Sequence, residues 1–184
     1  MFGPIAGNIT TQRLQLEPLA VHHAGEMAEV LDDPRLHEFI GGEPLTVEEM
    51  RRRYEHLVAG PAPFHQEWWL NWIVRRRRDG QAVGYVQATV TPGAAGLRAS
   101  IAWVVGMPYQ GFGFATEAAR AMAGWLRANG VGEIEAAIHP ENAASAGVAR
   151  RLRLRPTDET SDGETIWRAD PGVPGLPNIP DINA

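Results

Sequence analysis

A short glycine-rich turn is the part of this sequence whose residue types point most directly to a chemical role. Residues 108–116 read Pro-Tyr-Gln-Gly-Phe-Gly-Phe-Ala-Thr and lie between the apolar run Ile101–Val105 and an alanine-rich stretch with helical spacing. The first N–H groups of such a helix lack partners and, with the positive end of the helix dipole, attract anions. Gly111 and Gly113 lack a Cβ atom, so a phosphate can approach the backbone closely. Because the turn contains neither Lys nor Arg, recognition falls on main-chain N–H groups, which suits a pyrophosphate.

Several classes of phosphate-binding loop share this arrangement, and the sequence distinguishes between them. A Walker A loop requires a lysine, and the 184-residue chain contains none. The dinucleotide-binding fingerprint requires a third small residue where this chain has Thr116, so that match is weak and stays an alternative. The remaining pattern is Gln110-x-x-Gly113-x-Ala115.

The elements that would hold the turn are predicted from hydrophobic periodicity, helix caps and turn residues. Strands are predicted over residues 12–17, 69–75, 82–91, 98–105 and 133–138, and a late hairpin over residues 158–168. Helices are predicted over residues 19–31, 47–59 and 116–129, and a further helix begins at Asn142, a preferred capping residue. Residues 91–96 are predicted to form a loop. The order β-α-α-β-β-β-α-β-α-β-β predicts a mixed α/β sheet.

Composition limits the function classes. A chain of 184 residues with 44% hydrophobic residues fits one domain, and a net charge of −5 argues against an electrostatic nucleic-acid binder. The sequence has no cysteine, which excludes disulfides, thiolate metal sites and a cysteine nucleophile, and we expect no metal. Neither a membrane span nor a secretion signal is recognisable, so we expect a cytoplasmic protein. A domain over residues 1–169 is expected to precede a Pro- and Gly-rich tail, residues 170–184.

The glycine turn and two further motifs resemble one enzyme family. Gln110-x-x-Gly113-x-Ala115 is similar to the pyrophosphate loop of the GNAT superfamily of N-acetyltransferases. Asn142-Ala-Ala-Ser145 and the early Thr-x-Arg-Leu at residues 11–14 resemble the RimJ/RimL-type branch, which acetylates ribosomal-protein N-termini and many small amines. The similarity spans roughly residues 9–168.

The resemblance implies a GNAT fold: a mixed, mostly antiparallel central sheet flanked by helices, in which two splayed parallel strands form a wedge for acetyl-CoA. It implies direct transfer of the acetyl group to a primary amine, either a protein N-terminus or a small molecule, and a homodimer is consistent with the family. It also implies contacts to the cofactor from Trp103, Val104, Val105, Gln110, Gly111, Phe112, Gly113, Phe114, Ala115, Thr116, Asn142 and Ser145.

The catalytic groups are less clearly marked by the resemblance. Many acetyltransferases have a Tyr seven residues after the Asn as the acid that protonates the thiolate, and this chain has Ala149 there. Ser145 or water would take over that task. His139 ranks first as the base because it ends the predicted strand nearest the wedge; Glu67 and Glu141 are further candidates. The missing Tyr also keeps open a non-catalytic protein that only binds acyl-CoA.

Overall fold

The computed structural model describes residues 3–169, which form one central sheet with helices on both faces. The eight strands are β1 Ile9–Thr10, β2 Leu14–Pro18, β3 Trp68–Arg76, β4 Ala82–Gly93, β5 Gly96–Val105, β6 Val131–Ile138, β7 Leu154–Ser161 and β8 Glu164–Ala169. The five helices are α1 Ala24–Val30, α2 His37–Ile40, α3 Val47–Ala59, α4 Phe114–Ala128 and α5 Ala143–Arg151. Short 3₁₀ turns cover Val21–His23, Pro34–Leu36 and Met107–Tyr109.

The strands are arranged in the order β1-β2-β3-β4-β5-β6-β8-β7. Every neighbouring pair is antiparallel except β5 and β6, which run parallel and are joined through α4. This is the mixed, mostly antiparallel sheet that the sequence predicts. A dinucleotide-binding domain of the Rossmann type has a parallel, doubly wound sheet, so the fold rules out that alternative.

Alternation along the central strands produces two cores, one on each face of the sheet. Trp72 and its same-face neighbours pack against α4 and α5, where Met122 is fully buried. Ile73, the next residue along β3, points to the opposite face and packs with Met27 of α1 and Tyr54 of α3. Burial of both faces holds the central strands rigidly, which suits them to carry a functional site.

Several predicted boundaries are corrected by the structure. The predicted loop over residues 91–96 is a tight hairpin, because β4 and β5 stay paired as far as Gly93 and Gly96. The first helix begins at Ala24 after a 3₁₀ turn, while α2, a helix of four residues, and the two-residue strand β1 were not predicted. The late hairpin starts four residues early, at Leu154, and it turns at Asp162-Gly163 as predicted.

Local capping signals explain where the helices begin and end. Thr46 accepts a hydrogen bond from the N–H of Glu49, and the Glu49 carboxylate accepts one in return, which is the predicted capping box of α3. At the end of α5 no glycine is available, and Arg153 takes the left-handed conformation with φ 60°. The predicted tail, residues 170–184, lies outside the described residues.

Candidate active site

A gap between the two parallel strands lies at the centre of the sheet. β5 and β6 pair from Leu97 with Val131 as far as Ser100 with Glu135, and within the described residues the two strands do not pair beyond that point. From Glu135 onward β6 pairs with β8 on its other side. The carboxyl halves of the two strands therefore separate, and they leave an open edge along the end of β5.

The register shows which main-chain groups face this gap. The N–H of Gly106 donates to the carbonyl of Val83 at 2.8 Å, which places Val105 at a non-hydrogen-bonded position of the β4–β5 pair. The N–H and C=O groups of Val105 therefore point away from β4 and towards the gap. Since this orientation alternates along a strand, Trp103 directs its main-chain groups to the same side.

The polar groups next to the gap, on Val104, Gln110 and Trp103, do not all face it as the sequence-based prediction implied. Val104 lies opposite Tyr85 at a hydrogen-bonded position, so its main-chain groups face β4 and not the gap. The side-chain amide of Gln110 donates to the carbonyl of Val105 at 2.9 Å and so stabilises the end of the strand. The indole N–H of Trp103 is buried and has no hydrogen-bond partner in the described part of the chain. The Trp103 side chain packs against the core on the α4 face of the sheet.

The glycine turn after β5 leaves a set of unpaired N–H groups at the start of α4. Gly111 and Gly113 have φ angles of 82° and 81°, which residues with a Cβ atom rarely adopt. Gly113 caps the helix without a side chain, and the first helical bond runs from the N–H of Glu117 to its carbonyl at 3.1 Å. The N–H groups of residues 114–116 precede that bond and have no partner within the helix.

The aromatic residues of the turn have different environments. The side chain of Phe114 is buried in the core, which anchors the first turn of α4, whereas the side chain of Phe112 is 60% exposed. A Cβ atom added to Gly111 would meet no atom within 4 Å, so the space in front of the turn is open. At Gly113 an added Cβ atom would come within 3.4 Å of Nη2 of Arg13, so the Arg13 side chain lies beside that part of the turn.

A clamp formed by Thr11, Arg13 and Glu117 holds this turn from the outside. The hydroxyl of Thr11 and the N–H of Arg13 donate to one oxygen of Glu117, at 2.7 and 2.9 Å. Nε of Arg13 donates to the other oxygen at 2.7 Å, and its Nη1 donates to the carbonyl of Phe112 at 2.8 Å. The guanidinium also lies over the ring of Phe114, 4.8 Å from its centroid. The clamp thus joins the first strands to both the turn and the helix.

The environment of Glu117 keeps its carboxylate charged. Partial burial favours the protonated form and is the largest single influence, but the hydrogen bonds from Thr11 and Arg13 together outweigh it. The net result is a pKa lowered below the ordinary value of 4.5. The carboxylate also lies in the first turn of α4, where the helix dipole stabilises negative charge.

The helix that follows β6 presents a free hydroxyl. The side chain of Asn142 accepts a hydrogen bond from the N–H of Ser145 at 3.1 Å, so Asn142 caps α5 as predicted. The hydroxyl of Ser145 is half-buried and has no hydrogen-bond partner within residues 3–169. One turn later on the same face, Ala149 is 0% exposed. A tyrosine at that position would have to displace core atoms.

The candidate bases differ in their surroundings. The N–H of Glu141 donates to Nδ1 of His139 at 3.2 Å, so the neutral ring carries its proton on Nε2. His139 therefore acts as a hydrogen-bond acceptor at Nδ1, and its ring packs against Phe39 at 5.4 Å. Glu67 accepts from the indole of Trp69 at 2.9 Å, at the start of β3 and two strands away from β5. The structure does not bring Glu67 and His139 together.

A cleft lies on the α1–α3 face of the sheet. It encloses about 860 Å³, including the part open to solvent. Its walls come from α2, α3 and the segment between them, and its floor from β3 and β4; the polar residues lining it are His37, Glu43, Arg53, Tyr54, Asn71, Tyr85 and Gln87. Tyr85, which lines the cleft, lies opposite Val104 of β5. Phe39 of α2 contacts His139, the residue that follows β6.

A family model described as an acetyltransferase (GNAT) domain matches residues 13–155, which is more than half of the chain. The chain is a GNAT acetyltransferase domain. No curated protein sequence matches it significantly. Within the described residues, no helix is long and apolar enough to cross a membrane, and no group of three or more acidic or histidine side chains is placed to hold a metal ion.

Solved GNAT structures share the fold. RimL, a ribosomal L7/L12 α-N-protein acetyltransferase solved with coenzyme A, has a TM-score of 0.70 and 16% identity, covering 88% of this chain and 97% of RimL. A GNAT-family acetyltransferase from Bacillus anthracis has a TM-score of 0.66 and 21% identity, with 88% and 94% covered. A Vibrio cholerae protein, provisionally named a ribosomal-protein-serine acetyltransferase, has a TM-score of 0.64 and 21% identity, with 92% and 100% covered. The predicted resemblance is confirmed at the level of family and fold.

The clamp is the part of the GNAT site that sequence reasoning missed. Thr11 and Arg13 belong to the Thr-x-Arg-Leu motif, which marked the first strand in the sequence without any role in the site. Glu117 stands in the helix that the glycine turn opens, 104 residues after Arg13. The available signal was an acidic residue, Glu117, in the first turn of that helix. The sequence alone does not identify the residue that pairs with it.

Proposed function

We propose that this GNAT domain transfers the acetyl group of acetyl-CoA to a primary amine. The observation that carries the proposal is the alignment of two features: the open edge at the end of β5 leads directly into the glycine turn. A strand edge whose main-chain groups include the N–H of Val105 and the N–H and C=O of Trp103 suits the amides of the pantetheine arm, as it would suit an added peptide strand. The unpaired N–H groups of residues 114–116 suit the diphosphate at the other end.

The residues present fit coenzyme A. Gly111 and Gly113 expose the backbone to a phosphate, and the space in front of Gly111 is open. The buried indole N–H of Trp103 lacks a partner among the described residues and would donate to a carbonyl of the pantetheine arm or of the acetyl group. When bound, acetyl-CoA supplies an activated thioester. Asn142 and Ser145 belong to the same binding surface in this proposal.

The chain's own groups support the transfer in a defined way. The N–H of Val105 faces the gap and would donate to the thioester carbonyl, where negative charge develops as the amine attacks. The new C–N bond replaces the C–S bond, the amine loses a proton and the departing sulfur gains one. The hydroxyl of Ser145, which has no hydrogen-bond partner within residues 3–169, would supply the proton to sulfur. A base acting through water removes the proton from the amine.

The acceptor class follows from the family only in part. RimL acts on the N-terminus of a ribosomal protein, as its name states. We propose that the cleft beside β5 holds the acceptor here and that a peptide N-terminus or a small amine enters it. The cleft supports this because Tyr85 on its floor pairs with Val104 near the end of β5.

Calorimetric titration with acetyl-CoA tests the cofactor, and a thiol-release assay with a panel of amines tests the transfer. We expect binding of acetyl-CoA, no binding of NADH, and release of thiol only when an amine is present. Absence of acetyl-CoA binding at millimolar concentration would contradict the proposal as a whole. Binding without thiol release for any amine would instead support a non-catalytic acyl-CoA-binding protein, which the alanine at position 149 favours.

A further inference from the structure

The floor of the cleft carries polar side chains that make no hydrogen bonds with residues 3–169. Asn71 of β3 and Gln87 of β4 are direct cross-strand neighbours, and both side chains are half-buried. Neither amide has a partner in the described part of the chain. A pair of half-buried amides in this condition is costly unless a ligand or solvent completes its hydrogen bonds.

Two tyrosines border the same space. Tyr54 of α3 is only 4% exposed, and no hydrogen bond to its hydroxyl is found within residues 3–169. Tyr85 of β4 is half-buried, lies two residues from Gln87 on the same face, and its hydroxyl is equally without a partner. Burial raises the pKa of both phenols above their ordinary value, so both stay protonated at neutral pH and can donate.

The charged groups of the cleft lie at its rim. Arg53 and Glu43 are exposed, and their charges are of opposite sign. His37 lies with its two ring nitrogens 3.2 and 3.3 Å from the carbonyls of Gly41 and Leu31, so it is already engaged by the main chain. The floor therefore offers uncharged hydrogen-bonding groups, between apolar walls that include Leu57 and Ile73.

We propose that Tyr54, Asn71, Tyr85 and Gln87 determine acceptor specificity by binding an uncharged amide or hydroxyl group that stands next to the reacting amine. This inference rests on the proposed acetyl transfer and adds the substrate class. Asn71 and Gln87 each offer both a donor and an acceptor, which matches the N–H and C=O of an amide. A simple alkylamine would leave these groups unpaired, and sites built for hydrogen bonding reject such analogues strongly.

Two kinds of substrate carry such a group next to an amine: a peptide N-terminus, and a small amino alcohol or amino amide. Thiol release would be measured with seryl-alaninamide, with serinol and with propylamine, at saturating acetyl-CoA. We expect kcat/KM for at least one of the first two to exceed that for propylamine by about tenfold or more. A preference for the dipeptide amide assigns the cleft to a peptide, and a preference for serinol assigns it to a small molecule. Equal values for all three would overturn the inference.

Substitution of the floor residues supplies the second test. Asn71→Leu and Gln87→Leu keep approximate size and remove the hydrogen-bonding groups, so both should erase the preference while the KM for acetyl-CoA stays within about twofold. Thr89→Val is the matched control, because Thr89 lies on the same face of β4 as Gln87 but does not line the cleft. An unchanged preference in both leucine variants would contradict the inference.

The outcomes separate this inference from the proposed function. Loss of acetyl-CoA binding in the unaltered protein would contradict the function itself. Binding and transfer without discrimination among the three amines would contradict only the specificity. If Asn71→Leu fails to fold, Asn71→Asp with the same amines replaces it: a carboxylate keeps the acceptor but loses the amide donors, so reduced discrimination is the expected result.

Discussion

The clamp around the glycine turn gives the sharpest prediction. Arg13→Ala removes the Nε bond to Glu117 and the Nη1 bond to the carbonyl of Phe112, while the main-chain bond from residue 13 stays. Hydrogen bonds to charged groups contribute about 1.5–3 kcal/mol each when desolvated. The Arg13 side chain is 44% exposed and that of Glu117 is 19% exposed, so competition from water reduces each bond to about 1 kcal/mol.

The loss of about 2 kcal/mol falls on the segment that presents the N–H groups to the diphosphate. If most of this free energy is needed to order the turn when acetyl-CoA binds, the Kd for acetyl-CoA rises by about tenfold to thirtyfold. Isothermal titration calorimetry measures the Kd, and initial rates should show a raised KM for acetyl-CoA with kcat changed less than about twofold. Thermal unfolding checks that the variant is folded.

Arg77→Ala is the matched control. The Arg77 side chain also binds the turn between β1 and β2, where it donates to the carbonyls of Thr11 and Gln12 at 2.9 and 3.2 Å. Within the described structure it makes no hydrogen bond or ion pair with residues 111–117. Its removal should leave the Kd within about twofold. Equal Kd values for the two variants and the parent protein would refute the reasoning, since the clamp would then have no influence on the turn. Arg13→Lys should recover only part of the affinity, because an ammonium cannot bridge both acceptors.

Three further predictions concern the same region. Gly113→Asp should weaken acetyl-CoA binding at least about tenfold, because a Cβ atom is disfavoured at φ 81° and would lie 3.4 Å from Nη2 of Arg13, which disturbs the clamp; Gly163→Asp, at the same φ in a distant turn, should cost stability but not affinity. The stability difference between the parent and Glu117→Gln should be constant above pH 4.5 and shrink as pH falls through the lowered pKa of Glu117, since the carboxylate stabilises only when charged; urea unfolding at several pH values measures this. Ser145→Ala should lower kcat by about tenfold with the KM for acetyl-CoA nearly unchanged, and an unchanged kcat would assign the proton transfer to water.

Much of the local structure could be predicted because short-range rules govern it. The capping box at Thr46 and the asparagine cap at Asn142 are determined by residues three positions apart. The turn at Asp162-Gly163 and the helix after Gly113 follow from glycine in the left-handed conformation. The motif order was enough to recognise the family, which the match over residues 13–155 confirms.

The boundaries that were wrong have physical reasons. The segment between Thr91 and Gly96 contains Pro and Gly, which favour a loop, yet the pairing of β4 with β5 continues through it as far as the hairpin turn. At the end of α5, where no glycine is available, Arg153 adopts the left-handed conformation. In both cases tertiary packing outweighs local preference.

The sequence alone determined which residues can bend, cap and expose the backbone, because those properties belong to single residues and their near neighbours. The tertiary structure decided the rest: the parting of β5 from β6, the turn of Val104 away from the gap, and the contact of Arg13 with Glu117 across 104 residues. Such features depend on strand register and on packing between distant segments. No local pattern specifies them, since the partners meet only when the whole sheet has formed.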